Sequence, residues 1–541
     1  MVYMDSRMVA GIVVAALVIG LVIGGYVVST FQKPKTVTET QTQMLTVTEV
    51  KTRLKIVGFK SELMWREVIA SRQQLPPHTY VQVSTWSSHA PYTIIAFSPN
   101  SEMFAIGITV YKNEKPFTEV RIYDVSTGKL LWSYSLGSGY LRALAWSKDG
   151  RILFVGEASV EGKIAALDVA SKRLLWEYAT SKELGMGSPK EPRWYWPTIY
   201  SVAVDDSRMY FSACKTRKKP YGKICKLYCF EIKTGKKVWA FPEDGYIDTH
   251  VPKIALSPNG RYLAGITWYY KGEKWKGGTI FLLDASTGKL LASFYPETRK
   301  PFRWCGSWDG VAWLDNGHVA FVLDDGRAFV LSVPLLKPVY ETNITNPLPA
   351  LVVPRKTQQT EQGYVYAFSS YATVVVAGDG SKLLLVRTSN TYGITALGKS
   401  AKPTIVHPDS NSIFFYLWDG KKLELLAKYP LRGRPNYEQW TTYSPEKHLL
   451  AVPAAHDYIT RTIIYTGLYI YNLTSADQIR TGQAEIGVIK PPENSGVVIG
   501  GAISPTGNYA VLVTYPVNLG TKKAPVFKGS YTLAAYQLIG G

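Results

Sequence analysis

From Ile94 onward, short apolar segments alternate with clusters of Ser, Pro, Asn, Asp and Gly, the period-two pattern of strands joined by tight turns. The first full unit reads as strand Ile94–Ser98, turn Pro99–Glu102, strand Met103–Val110, a loop, strand Val120–Tyr123, a second turn, and strand Leu130–Tyr134. That second turn is Asp124-Val-Ser-Thr-Gly-Lys-Leu-Leu-Trp132. It returns as Asp168-Val-Ala-Ser-Lys-Arg-Leu-Leu-Trp176, Glu231-Ile-Lys-Thr-Gly-Lys-Lys-Val-Trp239 and Asp284-Ala-Ser-Thr-Gly-Lys-Leu-Leu291. An acidic side chain can accept N–H groups across such a turn, and glycine supplies the positive φ that other residues resist. A unit recurring every ~45–60 residues is the signature of a repeat architecture.

A second signature lies between the first and second strands: Ser98-Pro-Asn100, Ser147-Lys-Asp-Gly150, Ser257-Pro-Asn-Gly260, Leu314-Asp-Asn-Gly317, Ser444-Pro-Glu446 and Ser504-Pro-Thr-Gly507. Candidate first strands begin near Ile94, Ala143, Ile199, Lys253, Gly310, Val365, Thr404, Thr441 and Val498. The two between Val365 and Tyr429 are short, so the pattern predicts about eight four-stranded units, within a range of about seven to nine. Sheets repeated this way bury their faces against neighbours, and a ring leaves no open end. The fold class is therefore all-β, a single β-propeller. Its last unit shows only Val498–Ser504, Tyr509–Tyr515 and Tyr531–Leu538, so the outermost strand must come from elsewhere. Tyr80–Trp86 alternates and is placed to supply it, closing the ring with an N-terminal strand; Lys60–Arg72 reads as a short helix.

The phrase Leu283-Asp-Ala-Ser-Thr-Gly-Lys-Leu-Leu291 and its copies resemble the blade repeats of PQQ-like (quinoprotein-like) and WD-type β-propellers, over roughly Ile94 to Leu538 and most closely in the first four units. The resemblance implies blade architecture and says little about activity. Quinoprotein enzymes of this blade type use an acidic base, a calcium site and, in many, a vicinal cysteine pair; no two cysteines are adjacent here. The propeller lipoproteins of outer-membrane assembly are similar in architecture.

Val9–Val28 is apolar and uncharged, long enough to cross a bilayer as a helix, and lacks an Ala-x-Ala cleavage site. Thr36–Val50 is Thr-rich and without a core-forming pattern, and resembles the stalks of archaeal surface proteins. The expected organisation is a short tail (1–8), a transmembrane helix (9–28), a stalk (29–53) and the propeller domain (54–541), with the propeller extracellular.

Composition refines this picture. The 541 residues carry a net charge of +20, which points to an anionic partner or surface. In a blade the second–third loops and the connectors share one end. Here they are long: Lys112–Glu119, Ser181–Thr198, Lys215–Lys223, Lys271–Gly278, Pro296–Asp309, Glu341–Gly363, His456–Thr462 and Pro516–Lys528. That end carries roughly ten more Lys/Arg than Asp/Glu. Aromatics are interleaved with the charge, giving candidate partner-binding residues Arg193, Trp194, Tyr195, Trp196, Lys215, Arg217, Lys218, Lys219, Tyr269, Tyr270, Trp275, Arg303, Trp304 and Trp308. Planar rings beside basic groups can stack on sugars or bind anions. Of the four cysteines, Cys214 and Cys225 flank a hairpin loop and are a candidate disulfide; Cys229 either pairs with Cys305 or stays a buried thiol. Asn343 and Asn472 head glycosylation sequons.

No Cys/His metal cluster, G-x-S-x-G elbow, H-E-x-x-H motif or phosphate-cradling loop is present, so no catalytic or metal residue and no cofactor is assigned. The expected function is a membrane-anchored, extracytoplasmic binding or scaffolding module for an envelope protein or anionic glycan, and nucleic acid is not the expected partner. The alternative is a PQQ-like quinoprotein dehydrogenase or another propeller enzyme with its site in the central funnel.

Overall fold

The computed structural model describes residues 59–71, 79–82, 94–113, 115–218, 221–268, 280–296, 309–323, 326–344, 370–388, 412–431, 434–435, 441–455, 467–518, 524 and 526–540. All lie in the compact unit Ile56–Gly541. The apolar stretch Val9–Val28 and the Thr-rich stretch Thr36–Val50 fall outside them. Among the described residues no helix is long and apolar enough to cross a membrane.

The protein is all-β, built from four-stranded antiparallel sheets whose strands pair in chain order, the last sheet excepted. The first sheet joins Ile95–Phe97, Met103–Lys112, Lys115–Asp124 and Leu130–Gly137; the second joins Tyr140–Trp146, Ile152–Ala158, Lys163–Asp168 and Arg173–Ala179. The third (Thr198–Val204, Arg208–Lys218, Tyr221–Glu231, Lys237–Phe241) touches the second through a single pairing of Thr198 with Ala158. Five more follow among the described residues, opening with His250–Leu256, Val311–Trp313, Ser370–Val376, Thr442–Ser444 and Val497–Ile503.

Packing between sheets follows a simple rule. Each buried apolar cluster draws one set of residues from a sheet and the other from the next. A further cluster joins the last sheet to the first: Ile499, Val511, Val513, Leu533 and Ala535 pack on Ile95, Phe104, Ile106, Ile108 and Tyr123. Both faces of each sheet are thus covered, as the apolar run Ile152–Ala158, buried throughout, requires.

Two expectations near the N-terminus are corrected. Lys60–Ala70 is a strand, not a helix, and it pairs with Tyr531–Ile539 as the outermost strand of the last sheet. The strand near Tyr80 does not take that place. Thr79–Gln82 pairs instead with Thr109–Lys112, on the edge of Met103–Lys112 that also carries Ile95–Phe97. The physical reason is Trp65. Its ring stacks near Phe104 and Tyr123, each at 6.2 Å, and its Nε1–H donates to the Val125 carbonyl at 2.8 Å.

That contact repeats. Trp176 Nε1 donates to Ile232 O at 2.8 Å and Trp239 Nε1 to Ala285 O at 3.0 Å. In each case an outer-strand indole seats on the turn of the following sheet, against the carbonyl just after the acidic residue. Asp124 holds its turn by accepting from Ser126 Oγ at 2.7 Å and from Thr127 N and Oγ1 at 2.8 Å. Burial works against ionisation of Asp124, but these hydrogen bonds outweigh it and keep the pKa below the ordinary value. The turn glycine is required twice over. Gly128 has φ +70°, and a Cβ there would lie 2.5 Å from Trp65. Lys172 stands at the glycine position of the second sheet's turn with φ 54°, opposite the outer strand that carries Trp132. Lys172→Gly is expected to raise stability by about 1 kcal/mol in denaturant titration, by relieving the left-handed backbone and opening the seat for Trp132.

The Ser-Pro-Asn/Asp-Gly turns are closed from within. Ser98, Ser147 and Ser257 are buried, and each Oγ donates to the acid or amide two residues on and accepts the N–H five residues on. At the opposite end, two loops expected to be irregular are regular hairpins: Met103–Lys112 pairs with Lys115–Asp124, and Arg208–Lys218 with Tyr221–Glu231, over their full lengths.

Candidate functional site

The long-loop end holds three groups of side chains. The first is built where the connector after the second sheet meets the long hairpin of the third. The short helix Ser181–Leu184 is followed by a single 3-10 turn, Arg193–Tyr195, entered from Pro192, whose fixed φ suits the start of a turn. Trp196 is buried, not displayed: its Nε1 donates to Ser188 O at 2.8 Å and its ring lies 6.1 Å from Tyr140. Arg193 is equally occupied, donating to Tyr111 Oη at 3.1 Å with its guanidinium 4.5 Å from the Tyr140 ring centre. Trp194 remains half exposed, at 50%.

The hairpin meets this turn directly. Thr216 Oγ1 donates to Trp194 O at 2.6 Å, and the Lys218 ammonium lies 5.4 Å from the Tyr195 ring while pairing with Glu191 at 2.6 Å. Lys215 donates to Met186 O at 2.6 Å, and burial pushes its pKa down. Arg217 pairs with Asp248 at 2.7 Å. The structure therefore brings together Arg193, Trp194, Tyr195, Trp196, Lys215, Arg217 and Lys218, but most of the basic groups already have partners within the chain. Lys219, Tyr269, Tyr270, Trp275, Arg303, Trp304 and Trp308 lie outside the described residues.

Glu183 ties this region down. It accepts from Tyr178 Oη at 2.6 Å and Lys237 Nζ at 2.7 Å, and pairs with the buried Lys226 at 3.2 Å. Cys214 and Cys225, directly opposite in the hairpin, are disulfide-bonded, and Cys229 is a buried free thiol. Asn343 is exposed at the end of an outer strand. Asn472 closes a turn, its Oδ1 accepting the Thr474 N–H at 2.9 Å.

The second group gathers on the first strands of successive sheets, joined by Lys223 from the third strand of the third sheet. Arg142 and Lys223 both approach the ring of Tyr200, at 5.1 and 4.5 Å, and Lys223 donates to its hydroxyl. His250 meets the same ring edge-on at 4.3 Å. Burial, then the charges of Lys223 and Arg142, hold the His250 imidazole well below its ordinary pKa, so it is neutral at pH 7. Lys253 pairs with Asp309, just ahead of the next sheet's first strand, at 2.8 Å.

The third group lines a cavity of about 270 Å³ between the first and second sheets, with Tyr134, Leu136, Gly139, Glu157, Lys163 and Glu177 in its wall. Sequence reasoning missed it. The signal was a charged residue inside the otherwise apolar run Ile152–Ala158, just as Lys226 sits inside the apolar strand Tyr221–Glu231.

Among the described residues no cysteine pair is placed to flank a quinone. The Cys214–Cys225 bridge is packed between the third and fourth sheets, where the Val251 N–H donates to Cys225 Sγ at 3.4 Å. Among the described residues no three His, Cys, Asp or Glu side chains converge to hold a metal.

Residues 116–294 match the profile of the family described as outer membrane protein assembly factor BamB. That span runs from the third strand of the first sheet to the last strand of the fourth, and holds the Trp176 and Trp239 contacts with their turns. No curated protein matches the chain in sequence. Among solved structures, Sqt1 of Chaetomium thermophilum, solved bound to the N-terminus of the ribosomal protein L10, is 10% identical with a TM-score of 0.51, covering 84% of this chain and 99% of that one. The Cps50 (Swd1) β-propeller domain of Myceliophteria thermophila is 12% identical with a TM-score of 0.41, covering 74% and 97%. The protein is built of PQQ-like, WD-type propeller repeats.

Proposed function

We propose that this protein is a membrane-tethered, extracytoplasmic propeller of eight blades that binds an envelope protein on its long-loop face. Eight inter-sheet clusters, the last returning to the first, support the blade number. The strand Lys60–Ala70 in the last sheet supports closure by the N-terminal segment. The apolar stretch Val9–Val28 supports the tether, and the Cys214–Cys225 bridge suits an oxidising compartment. Sqt1, of similar fold, was solved with the N-terminus of another protein bound.

The observation that carries the binding face is Trp194. A large aromatic side chain, half exposed on a turn pinned by Thr216 and flanked by Tyr195 and Lys218, is a rigid anchor with little entropy left to lose. A photo-crosslinking residue placed at Trp194 in intact cells is expected to capture a protein partner, and one at Lys129, on the short-turn end, is not. Equal capture at both positions overturns the assignment of the face. Protease added to intact cells is expected to remove the domain; protection overturns the location.

A further inference from the structure

The cavity between the first and second sheets belongs to neither the platform at Trp194 nor the cluster at Tyr200. Its wall comes from three places. The outer strand of the first sheet supplies Tyr134, Ser135 and Leu136. The connector supplies Ser138 and Gly139, and the second sheet supplies Glu157, Lys163 and Glu177 from its second, third and fourth strands, with Glu161 on the loop between them. Its opening is on the long-loop end, since that connector and the loop 159–162 both lie there.

Glu157 is the unusual member. It is 5% exposed, in a strand otherwise wholly apolar. Ser159 donates to its Oε1 at 2.5 Å. Its carboxylate also accepts a hydrogen bond from the Lys163 backbone N–H, and its Oε2 faces the connector, where a Cβ on Gly139 would come within 2.6 Å of it. The other two carboxylates are occupied: Lys163 pairs with Glu161 at 3.0 Å and with Glu177 at 3.2 Å. With Glu157 ionised, the three carboxylates and one ammonium leave the wall net negative, on a chain whose overall charge is +20. The one aromatic face in the wall is Tyr134. A buried carboxylate in the wall of a cavity of about 270 Å³, beside an aromatic ring and with lone pairs beyond those its two donors use, is the chemistry that holds a compact organic cation.

We propose that this inter-sheet cavity is a binding site for an alkylguanidinium or alkylammonium group, with the cation hydrogen-bonded to Glu157 Oε2 and its alkyl stem along Tyr134 and Leu136. Such a group is what an arginine or lysine side chain, or a free amine, presents. The site does not depend on the partner proposed for the Trp194 face.

Protonation provides an independent readout. Burial raises the Glu157 pKa to about 7, only partly offset by Ser159 and Lys163, with Glu177 adding to the rise. Tyr134, Glu161, Lys163 and Glu177 are the other titratable groups facing it from the elements packed around the cavity. A bound cation favours the ionised form, so at pH 7 binding releases on the order of half a proton.

The test is calorimetric titration of the full-length protein with n-butylguanidinium chloride at pH 7, in two buffers of different ionisation enthalpy. The expected result is saturable one-site binding whose apparent enthalpy differs between the buffers by the proton released. Glu157→Gln is expected to weaken binding about tenfold or more and to abolish the buffer dependence. Because Gln removes a buried charge and keeps the Ser159 contact, this variant is expected to melt no lower than the parent at pH 8. Gly139→Ala, which crowds Oε2, is the second variant and is expected to weaken binding as well. n-Pentanol, the neutral analogue, is expected not to bind. Absence of saturable binding overturns the proposal. So does binding unchanged in both variants, or displacement of the guanidinium by calcium chloride at lower concentration, which would make the cavity a metal site.

Discussion

Replacing Trp65 by alanine is expected to destabilise the protein by about 3–5 kcal/mol, the cost of truncating a large, well-packed aromatic side chain. Trp65 stands on the strand Lys60–Ala70, which completes the last sheet, and its ring reaches across to the first sheet's turn. One substitution removes the stacking on Phe104 and Tyr123 and the hydrogen bond to Val125 O. It also leaves space beside Gly128, whose missing Cβ is what admits the indole. Trp65→Phe separates the terms: it keeps a ring and loses the donor, so it is expected to cost less, with the hydrogen bond itself contributing about 1 kcal/mol. Urea midpoints of the two variants check the ordering. Limited proteolysis should show Trp65→Ala cut first between residues 60 and 71. If the alanine variant unfolds within 1 kcal/mol of the parent, the N-terminal strand is an ornament on the last sheet and not a structural closure.

The repeated turns were readable because their chemistry is local. An acid, a hydroxyl and a glycine at fixed spacing make the same hydrogen bonds wherever they occur, so Asp124 and Asp284 hold near-identical sets of contacts with Ser126–Thr127 and Ser286–Thr287. What those turns do for the neighbouring sheet was not readable. The seat that Gly128, Gly235 and Gly288 offer to Trp65, Trp176 and Trp239 joins residues more than forty positions apart. The strand Lys60–Ala70 was misread for a related reason. KSELMWREVIA has the charge spacing of a helix, and only its pairing with Tyr531–Ile539 and the anchoring of Trp65 turn it into a strand.

The candidate site was legible to the same degree. Alternation of Arg, Trp and Lys marked the long-loop end, and Trp194, Tyr195, Thr216 and Lys218 do meet there. Sequence could not tell that Trp196 points inward to Ser188, or that Lys215 and Arg217 are held by Met186 O and Asp248. Nor did it expose the role of the acids. Glu157 and Glu183 both sit outside recognisable motifs, and their importance comes from what lies across a gap, the Gly139 connector in one case and Lys226 in the other.

Glu183→Ala is expected to cost about 3–5 kcal/mol, the penalty for breaking a buried pair from one side. The reason is Lys226, whose side chain is only 7% exposed, and which would keep just the Glu243 carbonyl, 3.1 Å away. Lys237, at 42% exposed, can turn to water instead. Tyr178 loses its acceptor as well. The pH dependence gives the sign of the effect. Burial disfavours the Glu183 carboxylate, but hydrogen bonds from Lys237, Tyr178 and Lys226 outweigh this and lower its pKa. Its stabilisation is therefore complete above the unfolded-state value of about 4.3 and is lost as pH falls through the lower folded-state value. The gap between parent and variant should be constant from neutral pH down to about 4.3, narrow as pH falls from there through the folded-state value, and level off below it. The decisive construction is the double variant Glu183→Ala/Lys226→Met. Met fills the same volume without the charge, so it is expected to recover most of the lost stability. If it recovers none, the cost belongs to the helix Ser181–Leu184 coming loose, and not to the ammonium left without its partner. Either way the Glu183 carboxylate is the point where the start of this connector is tied to the third sheet, through Lys226 and Lys237. The Trp194 platform should therefore loosen in Glu183→Ala before the sheets do, seen as increased solvent quenching of Trp194 fluorescence at denaturant concentrations below the unfolding midpoint.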